Sequence, residues 1–552
     1  MSKSSRALLE AHVTNLDDQV YAIVGLEGLV GAVMARYSRA ETGLRETLLR
    51  EFIQEDKLRI DKADKLIERV LIAYGDDSVG ELEGAHLALE DISMLATKVI
   101  EHRRIGGSPI EKSTRYVRFD QRDSHGAYRY VVPKALPPEF KSRYVEVMDG
   151  IFDAYTAMWQ PIHTYLQTLK PLDAAVYPFK GEARTLSDCK TPRSRKQFKL
   201  TYENDLKTKT CDVLRSFLPL ATKANVGLFG NGRYYQHLIS KMMTSPLVEV
   251  QELGEKSLRE LSKVIPHYVK RARVLEYAIE NEQATRTLVR NLFPHDPVST
   301  SEEVTRIEGD FNAVANALAT IKSGSKGDYL KGLIHQQKEN EFLTALVYSH
   351  TTLPFSDLQR RVSELSDEEK DRCYRACYGT RKTRRDRPER CIEWGYPHRF
   401  ELVTEWAVYK DLMRHRMGTA LIQPLVPCHG FEMPPECEPA GVGKMATDTV
   451  KAAEQLFREL PEDFREYAFL HGHKMRWVLG MNDRALMHML ELRTTPQGHP
   501  NYRRVSQKIH AKMADAFPKR AAEMCFVNHE PVFWSRADSE ARQRDKEDVL
   551  ES

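Results

Sequence analysis

The sequence lacks several features that would assign it to a specialised class of protein. No stretch approaches the roughly 18 uncharged apolar residues that predict a membrane-spanning helix. None of its eight cysteines forms a Cys-x-x-Cys pair, and their scatter argues against a structural zinc site. The N-terminal residues lead into a mixed polar segment without the apolar core of a secretion signal. These absences predict a protein of the reducing cytoplasm, without membrane contacts.

A charge excess of one sign is also missing. The chain has 82 lysines and arginines against 79 aspartates and glutamates, a net charge of only +3. This balance argues against an overall polyanion-binding surface. One basic run, at 381–390, lacks interleaved aromatic residues and is therefore more typical of a solvated or phosphate-facing loop. We expect no nucleic-acid partner.

A metal site is not expected either. His429, His471 and His473 lie close together in the sequence, but no carboxylate stands at ligand spacing from them.

The length of the chain indicates more than one domain. With 552 residues, 41% of them hydrophobic, it is too long for one ordinary core. A proline-rich insertion is expected at about 117–210, and a linker at 291–310. Periodicity predicts a strand at 20–24 and helices at 43–66, in the second half of 87–100, and at 139–168, 204–243, 247–290 and 305–321.

The chain also repeats itself. The segment 33–38, Val-Met-Ala-Arg-Tyr-Ser, recurs as Thr-Ala-Leu-Val-Tyr-Ser at 344–349, an offset of 311 residues. The same offset of 311 residues joins Arg103 to Arg414. Two anchors with one offset predict an ancient duplication, with a chance coincidence as the alternative. The expected parts are a first repeat at 1–290, a linker and helix at 291–330, and a second repeat at 331–552.

A third match lies near the end of each repeat. Two groups of residues share one internal spacing: Asn231, Arg233 and His237, and Asn482, Arg484 and His488. On a helix, Asn482 and Arg493 lie within about 20° of each other. A stripe of asparagine and arginine is a poor core and a good ligand wall, although a solvated helix face is the alternative.

The segment 103–116 has the composition of a nucleotide-binding loop. Its arginines, Arg103, Arg104 and Arg115, offer planar forks suited to phosphate, and Ser108 and Ser113 add hydroxyl groups. Two glycines permit close backbone approach to a ligand. A solvated basic loop is the alternative.

At these residues the sequence resembles the flavin-dependent thymidylate synthases. That family carries Arg-His-Arg, then seven residues, then the serine of Glu-x-Ser-x-Arg-Tyr. The first repeat keeps Glu111, Ser113, Thr114, Arg115 and Tyr116, but its Arg-His-Arg has become Arg103, Arg104 and Ile105. The second repeat keeps Arg414, His415 and Arg416, but has Ile422, Pro424 and Val426 in place of Glu, Ser and Arg.

The resemblance implies that the losses are complementary. The family's late, uracil-contacting arginine corresponds to Met242 in the first repeat and to Arg493 in the second, and an earlier substrate-side arginine aligns with Arg215. Family sites are built between subunits. Here, one composite site would join Arg414, His415, Arg416 and Arg493 to Glu111, Ser113, Arg115 and Arg215, while its pseudo-symmetric twin would be silent. A homodimer would then form a pseudo-tetramer.

The implied fold is α+β, with two tandem domains of this family, helix-rich around small antiparallel sheets, forming a pseudo-dimer. The implied reaction converts dUMP to dTMP with methylenetetrahydrofolate and NADPH, through FAD. Arg493 would stabilise negative charge on the uracil ring. The implied substrate contacts are Arg414, Glu111, Ser113, Thr114, Arg115 and Arg215. The implied flavin contacts are Arg414, His415, Arg416, Asn482, Arg484, His488, Asn231, Arg233 and His237. A role in holding FAD or folate, which are anionic, is a further alternative for the basic run at 381–390.

One departure leaves the substrate open. Three residues before Arg414, where the family usually has a glutamine, the chain has Asp411, which replaces an amide with an acceptor-only carboxylate. The alternatives are a related flavoenzyme that modifies another pyrimidine nucleotide, for example by hydroxymethylation, and a non-catalytic protein that binds flavin or nucleotide.

Overall fold

A computed structural model describes residues 3–17, 23, 30–37, 43–54, 57–58, 79–102, 106–179, 182–295, 297–298, 302–308, 326–383 and 386–534. Arg103, Arg104 and Ile105 lie outside these residues, as do most of the strand expected at 20–24 and most of the helix expected at 305–321. No helix in the described ranges combines the length and the apolar character needed to cross a membrane.

Helices and short strands alternate through the first half of the chain. The helices are α1 (Lys3–Glu10), α2 (Val30–Tyr37), α3 (Leu44–Thr47, continued by a π-turn at Leu48–Phe52), α4 (Met94–Glu101), α5 (Pro138–Leu169), α6 (Pro192–Leu214), α7 (Gly232–Met243), α8 (Val248–Leu261), α9 (Pro266–Val269) and α10 (Glu276–Leu292). The strands are β1 (Ile53–Gln54), β2 (Lys57–Leu58), β3 (Gly84–Ser93), β4 (Gly107–Glu111), β5 (Tyr177–Phe179), β6 (Glu182–Arg184) and β7 (Lys223–Asn231).

The second half has the same mixture. Its helices are α11 (Lys326–Tyr348), α12 (Phe355–Ser363), α13 (Asp367–Tyr378), α14 (Trp406–Leu412), α15 (Gly443–Glu459), α16 (Asp483–Arg493), α17 (Pro500–Ala516) and α18 (Pro518–Ala522). Its strands are β8 (Val304–Arg306), β9 (His398–Glu405), β10 (Thr419–Ile422) and β11 (Lys474–Met481). The expected α+β class, helix-rich around small antiparallel sheets, is confirmed.

The two main sheets repeat one arrangement. In the first, β7 pairs antiparallel between β3 and β4, and in the second, β11 pairs between β9 and β10, with β8 added at the edge. Glu111 pairs with Val226 and Ile422 pairs with Trp477. Val226 and Trp477 each lie five residues before the asparagine that caps the following helix. Glu111 and Ile422 are therefore structural counterparts, as the 311-residue offset predicted.

A pseudo-twofold axis passes between the halves at Pro219 and Leu470, which form an antiparallel bridge. The flanking hydrogen bonds come in matched pairs: Leu220 N to Phe469 O (2.8 Å) with His471 N to Leu218 O (3.0 Å), and Ala221 N to Tyr467 O (3.0 Å) with Gly472 N to Ser216 O (2.8 Å). One hydrophobic cluster includes buried residues from both halves, so the halves share a core as a pseudo-dimer.

The expected helix at 139–168 is confirmed as α5, which contains Pro161 in its interior. It belongs to the long connection between β4 and β7, and its buried face includes Tyr144, Phe152 and Trp159. Since α15 occupies the matching position between β10 and β11, the first half has an extended version of a connection present in both.

Three of the helix predictions were wrong in part. The segment 204–243 contains β7, whose alternating buried residues, Ala224, Val226 and Leu228, follow the period of a strand. The helix expected at 43–66 stops at Phe52 and is followed by β1. Thr305 lies in β8 at the edge of the second sheet, because its backbone pairs with β9.

Candidate functional site

The candidate site lies where β4 of the first half meets the end of α14 in the second. The carboxylate of Glu111, at the end of β4, is fully buried. It forms ion pairs with three cations: Lys410 Nζ at 2.8 Å, Arg414 Nη2 at 3.0 Å and Lys98 Nζ at 3.2 Å. Lys98 also pairs with Glu101 at 2.8 Å. A single carboxylate thus joins the two repeats.

Electrostatics keep Glu111 ionised. Burial by itself raises its pKa, but the charges of Lys410, Lys98 and Arg414 outweigh burial and hold the pKa well below its ordinary value. A buried carboxylate of this kind depends on its cations, because an unpaired charge in a low-dielectric interior is costly.

A second ion-pair group lies beside it. Arg215, which is 2% exposed, approaches Asp411 at 3.4 Å and Glu405 at 3.8 Å. Within the described part of the chain, Nε and Nη2 of Arg215 and both carboxylate oxygens of Glu405 lack hydrogen-bond partners. Burial raises the pKa of Glu405 to about 7, against the opposing charge of Arg215. Burial also opposes ionisation of Asp411, but Arg215, Arg493 and Arg414 lower its pKa overall.

Arg493 is held in place by a histidine. Its Nε donates to His415 Nε2 at 2.7 Å, and its guanidinium lies 5.5 Å from the ring centroid of Tyr502. Burial, with the charge of Arg493, lowers the pKa of His415 to about 3, so the ring is neutral and its Nε2 can accept. His488 contacts the His415 ring edge-on at 5.9 Å. The last turn of α16 and the Arg-His-Arg motif therefore form one unit.

Arg115 is more enclosed than the sequence suggested. It forms a two-point ion pair with Asp212, with both N–O distances 2.6 Å, and Nη1 donates to the carbonyl of Gln497 at 3.1 Å. Asp212 raises the pKa of Arg115 above its ordinary value, against the effect of burial. Ser113 Oγ accepts from the Arg115 backbone N–H at 3.2 Å, and Thr114 is buried.

A cleft opens beside the Arg-His-Arg motif. The cleft is narrow: only about 10 Å³ of it can hold a water-sized group, and the surrounding empty space of about 310 Å³ includes open solvent. Its lining comprises Glu101, His102, Arg390, Met413, His415, Arg416, Gly418, Ala420 and Leu479. Arg416 donates to the Gly107 carbonyl, which ties this wall to β4. The lining thus combines two arginines, one carboxylate and several apolar residues.

The paired asparagine groups have a structural task. Asn231 Oδ1 accepts from Tyr234 N at 2.8 Å and Asn482 Oδ1 accepts from Ala485 N at 2.9 Å, so each caps a helix. Asn482 and Arg493 therefore stand at opposite ends of α16, about 16 Å apart at 1.5 Å per residue. This separation agrees with the expected stripe of about three helical turns, and a ligand contact along it stays a prediction.

The other members of these groups differ in their surroundings. Arg233 pairs with Glu81, while Arg484 is exposed and His237 is half-buried. Only His488 of the second group is brought to the Arg493–His415 pair.

Sequence reasoning missed four charged residues of the site: Lys98, Asp212, Glu405 and Lys410. Lys410 had a local signal, because it precedes Arg414 by one helical turn. Asp212 had none, since it meets Arg115 across 97 residues of sequence.

The histidines considered for a metal have other partners. His471 stacks on Trp406 at 4.8 Å and its Nδ1 contacts the Arg215 carbonyl at 3.1 Å. His473 Nδ1 accepts from Leu470 N at 2.9 Å. No cluster of three potential ligands occurs in the described ranges.

The pseudo-symmetric twin has a different character. Val99 and Ile100 correspond by the 311-residue offset to Lys410 and Asp411. Across the pseudo-twofold axis, Glu466 takes the place of Arg215, four residues before the bridging position. Burial raises the pKa of Glu466, which disfavours its charge. Two basic groups of the first site, Lys410 and Arg215, and the carboxylate of Asp411 are therefore replaced on the twin side.

A hydrogen-bonded carboxylate bridges the halves on the twin side. Glu249, in the first turn of α8, accepts from Ser93 N at 2.8 Å, Ser93 Oγ at 2.7 Å and Tyr467 Oη at 2.8 Å. Met242, the counterpart of Arg493, is 1% exposed and packs in the first-half core. This side is built as packed interior.

Comparison with known proteins identifies a family for the chain. The sequence model of one family, described as "Thymidylate synthase complementing protein", matches residues 29–267 and 397–519, well over half of the chain. The chain belongs to this family. The matched segments lie in both halves of the chain and contain both Glu111 and Arg414.

Three relatives match the chain over nearly its whole length. A UPF0159 protein of Chlamydia pneumoniae is 32% identical over 97% of this chain and 96% of its own. One from Chlamydia muridarum (strain MoPn / Nigg) is 30% identical over 98% of each chain. One from Thermoplasma acidophilum is 26% identical over 94% of this chain and 98% of its own.

Proposed function

We propose that the chain is a flavin-dependent thymidylate synthase with one composite site, which converts dUMP to dTMP. The observation that carries this proposal is the buried contact of Glu111 with Lys410 and Arg414. It brings the motif kept only by the first repeat against the motif kept only by the second. The family membership supports a reaction of the thymidylate synthase type.

The charges around the site suit a nucleotide monophosphate. Arg115 and Arg215 approach from the first half, and Arg414 and Arg493 from the second. Asp212 orients Arg115. Ser113 and Thr114 lie on the same segment and would contribute hydroxyl groups to the 5′-phosphate.

The cleft residues fit a flavin ring. Met413, Ala420 and Leu479 supply an apolar surface, while His415 and Arg416 supply polar groups at its edge. FAD, when bound, would carry reducing equivalents from NADPH to the one-carbon unit supplied by methylenetetrahydrofolate.

The chain's own residues would bind the substrate and polarise its uracil ring. Arg493, fixed by His415, places a cation where negative charge develops on the uracil ring. Arg414, held between Glu111 and Glu101, stands between the substrate side and the flavin side. No side chain is assigned as a nucleophile.

One flavin per chain is the expected stoichiometry. The purified protein, loaded with FAD, should show flavin absorbance at a one-to-one ratio and form dTMP from dUMP with both co-substrates. Two flavins per chain would contradict a silent twin site. A protein that cannot be loaded with FAD would contradict the proposed function and leave a non-catalytic binding protein.

Asp411 favours a second candidate, a flavoenzyme acting on another pyrimidine nucleotide. A carboxylate accepts hydrogen bonds from the exocyclic amino group of cytosine, which a uracil lacks. Assays with dUMP and dCMP side by side, with identification of the added one-carbon group, separate the two candidates. Rescue of a thymidine-requiring strain supports the first.

Replacing Glu249 by alanine should lower stability without lowering activity. The change leaves the buried donors of Ser93 and Tyr467 without their acceptor, at about 1–3 kcal/mol. Thermal unfolding and dTMP formation are measured on the same preparation. Glu252→Ala, on the same helix with an exposed partner in Lys134, is the matched control and should change neither. A strong loss of activity in a folded Glu249→Ala protein would place the twin side in the catalytic machinery.

A further inference from the structure

Arg390 is a cleft residue from outside the segments that the family model matches. It begins a short 3-10 helix, Arg390–Glu393, at the end of the basic run, whereas the second matched segment starts at residue 397. Its guanidinium nevertheless lines the same cleft as His415 and Arg416.

The contacts of Arg390 span both halves of the chain. Nη2 donates to the Gly418 carbonyl at 3.1 Å, Nη1 lies 3.2 Å from His102 Nε2, and Nε lies 3.3 Å from a Glu393 carboxylate oxygen. Gly418 leads into β10, and His102 follows α4 of the first half. The side chain is 30% exposed, so it remains accessible from the cleft.

The charged groups that line the cleft differ from those around Glu111. Glu101, the carboxylate of the cleft, is already paired with Lys98 at 2.8 Å. The carboxylate partner of Arg390 is Glu393, whose side chain is 32% exposed. Screening by water weakens an ion pair at that exposure. Arg390 and Arg416 therefore line the cleft together with apolar residues and with Glu101, whose Oε1 has no hydrogen-bond partner among the described residues.

We propose that Arg390 is a further flavin-binding residue, which holds an anionic edge of FAD in the cleft together with Arg416. This inference rests on the proposed function. Arginine suits the task because its planar fork can donate to the Gly418 carbonyl and to a ligand oxygen at once. The basic run, which the family resemblance left without a role, would thereby supply one cofactor contact.

The test is FAD affinity, measured by quenching of FAD fluorescence on titration with flavin-free protein. Arg390→Ala should weaken binding by about 10- to 100-fold, as expected for loss of a charge-assisted hydrogen bond. Arg390→Lys, which keeps the charge but loses the fork, should fall between it and wild type. Arg387→Ala removes an exposed arginine of the same segment and should bind within about twofold of wild type.

Thermal unfolding of the flavin-free proteins separates binding from folding. An unchanged unfolding temperature with weaker flavin binding supports the proposal. Wild-type affinity in Arg390→Ala overturns this inference and leaves the proposed function intact. Absence of flavin binding by the wild-type protein overturns both. A loss of affinity that Arg387→Ala shares, or that merely follows a lower unfolding temperature, assigns Arg390 a structural role.

Discussion

Replacing Arg493 by alanine is expected to reduce the rate of dTMP formation by about 100- to 1,000-fold. Loss of one preorganised group that stabilises transition-state charge has this size of effect. Because the contact would strengthen as charge develops on the ring, kcat and kcat/KM should fall together. The fold should survive, since Arg493 is half-buried at the end of α16.

The orientation of Arg493 explains why lysine is a poor substitute. Nε is committed to His415, whose lowered pKa of about 3 keeps it a neutral acceptor at physiological pH. The remaining edge of the guanidinium can then point at a ligand in a fixed direction. A lysine has no second edge and cannot do both. We therefore expect Arg493→Lys to recover only a small part of the lost rate.

The matched control is the counterpart on the twin side. Met242 is buried, and truncation to alanine would cost about 2–5 kcal/mol through a cavity. Met242→Leu conserves volume and should leave both stability and dTMP formation close to wild type. Near-normal turnover in Arg493→Ala, or an equal loss in Met242→Leu, would contradict the composite-site assignment.

The repeat was visible in the sequence because helix caps and strand registers preserve local spacing. Asn231 and Asn482 kept their spacing to later residues since each begins a helix after the middle strand of its sheet. The complementary motifs around Glu111 and Arg414 were paired in advance through the family resemblance, which implies sites shared between subunits. Their meeting depends on the bridge at Pro219 and Leu470.

Other parts of the site had no local signal. The ion pair of Arg115 with Asp212 changes Arg115 from an open phosphate ligand into a constrained one. The partner lies on α6, in a connection whose position against β4 is set by tertiary packing. The strand β7 was read as helix because its nine residues run directly into α7, and short apolar runs do not separate the two periods.

The second large effect is expected at Glu111. Glu111→Gln keeps the shape of the side chain but removes the anion that faces Lys98, Lys410 and Arg414. Breaking a buried ion pair by removing one partner costs about 3–5 kcal/mol, because the remaining charge is left uncompensated. Both the unfolding temperature and dTMP formation should fall.

The pH dependence of the free energy of unfolding tests the same ion pairs of Glu111. The pKa of Glu111 is lower in the folded protein than its ordinary value, so its contribution to stability is present above the ordinary glutamate pKa and is lost as pH falls below it. The wild-type protein should therefore lose more stability than Glu111→Gln on acidification. Denaturant unfolding at a series of pH values measures this difference.

A double variant separates the structural contribution of Glu111 from its effect on the reaction. Glu111→Gln with Lys410→Met removes one buried anion and one buried cation together, and should recover much of the stability lost in Glu111→Gln alone. Catalysis should stay impaired, because Arg414 has lost the carboxylate that fixes it across the boundary between the repeats. If activity returned together with stability, Glu111 would serve only to hold the halves together. If Glu111→Gln changed neither quantity, the buried contact could not be the centre of the site.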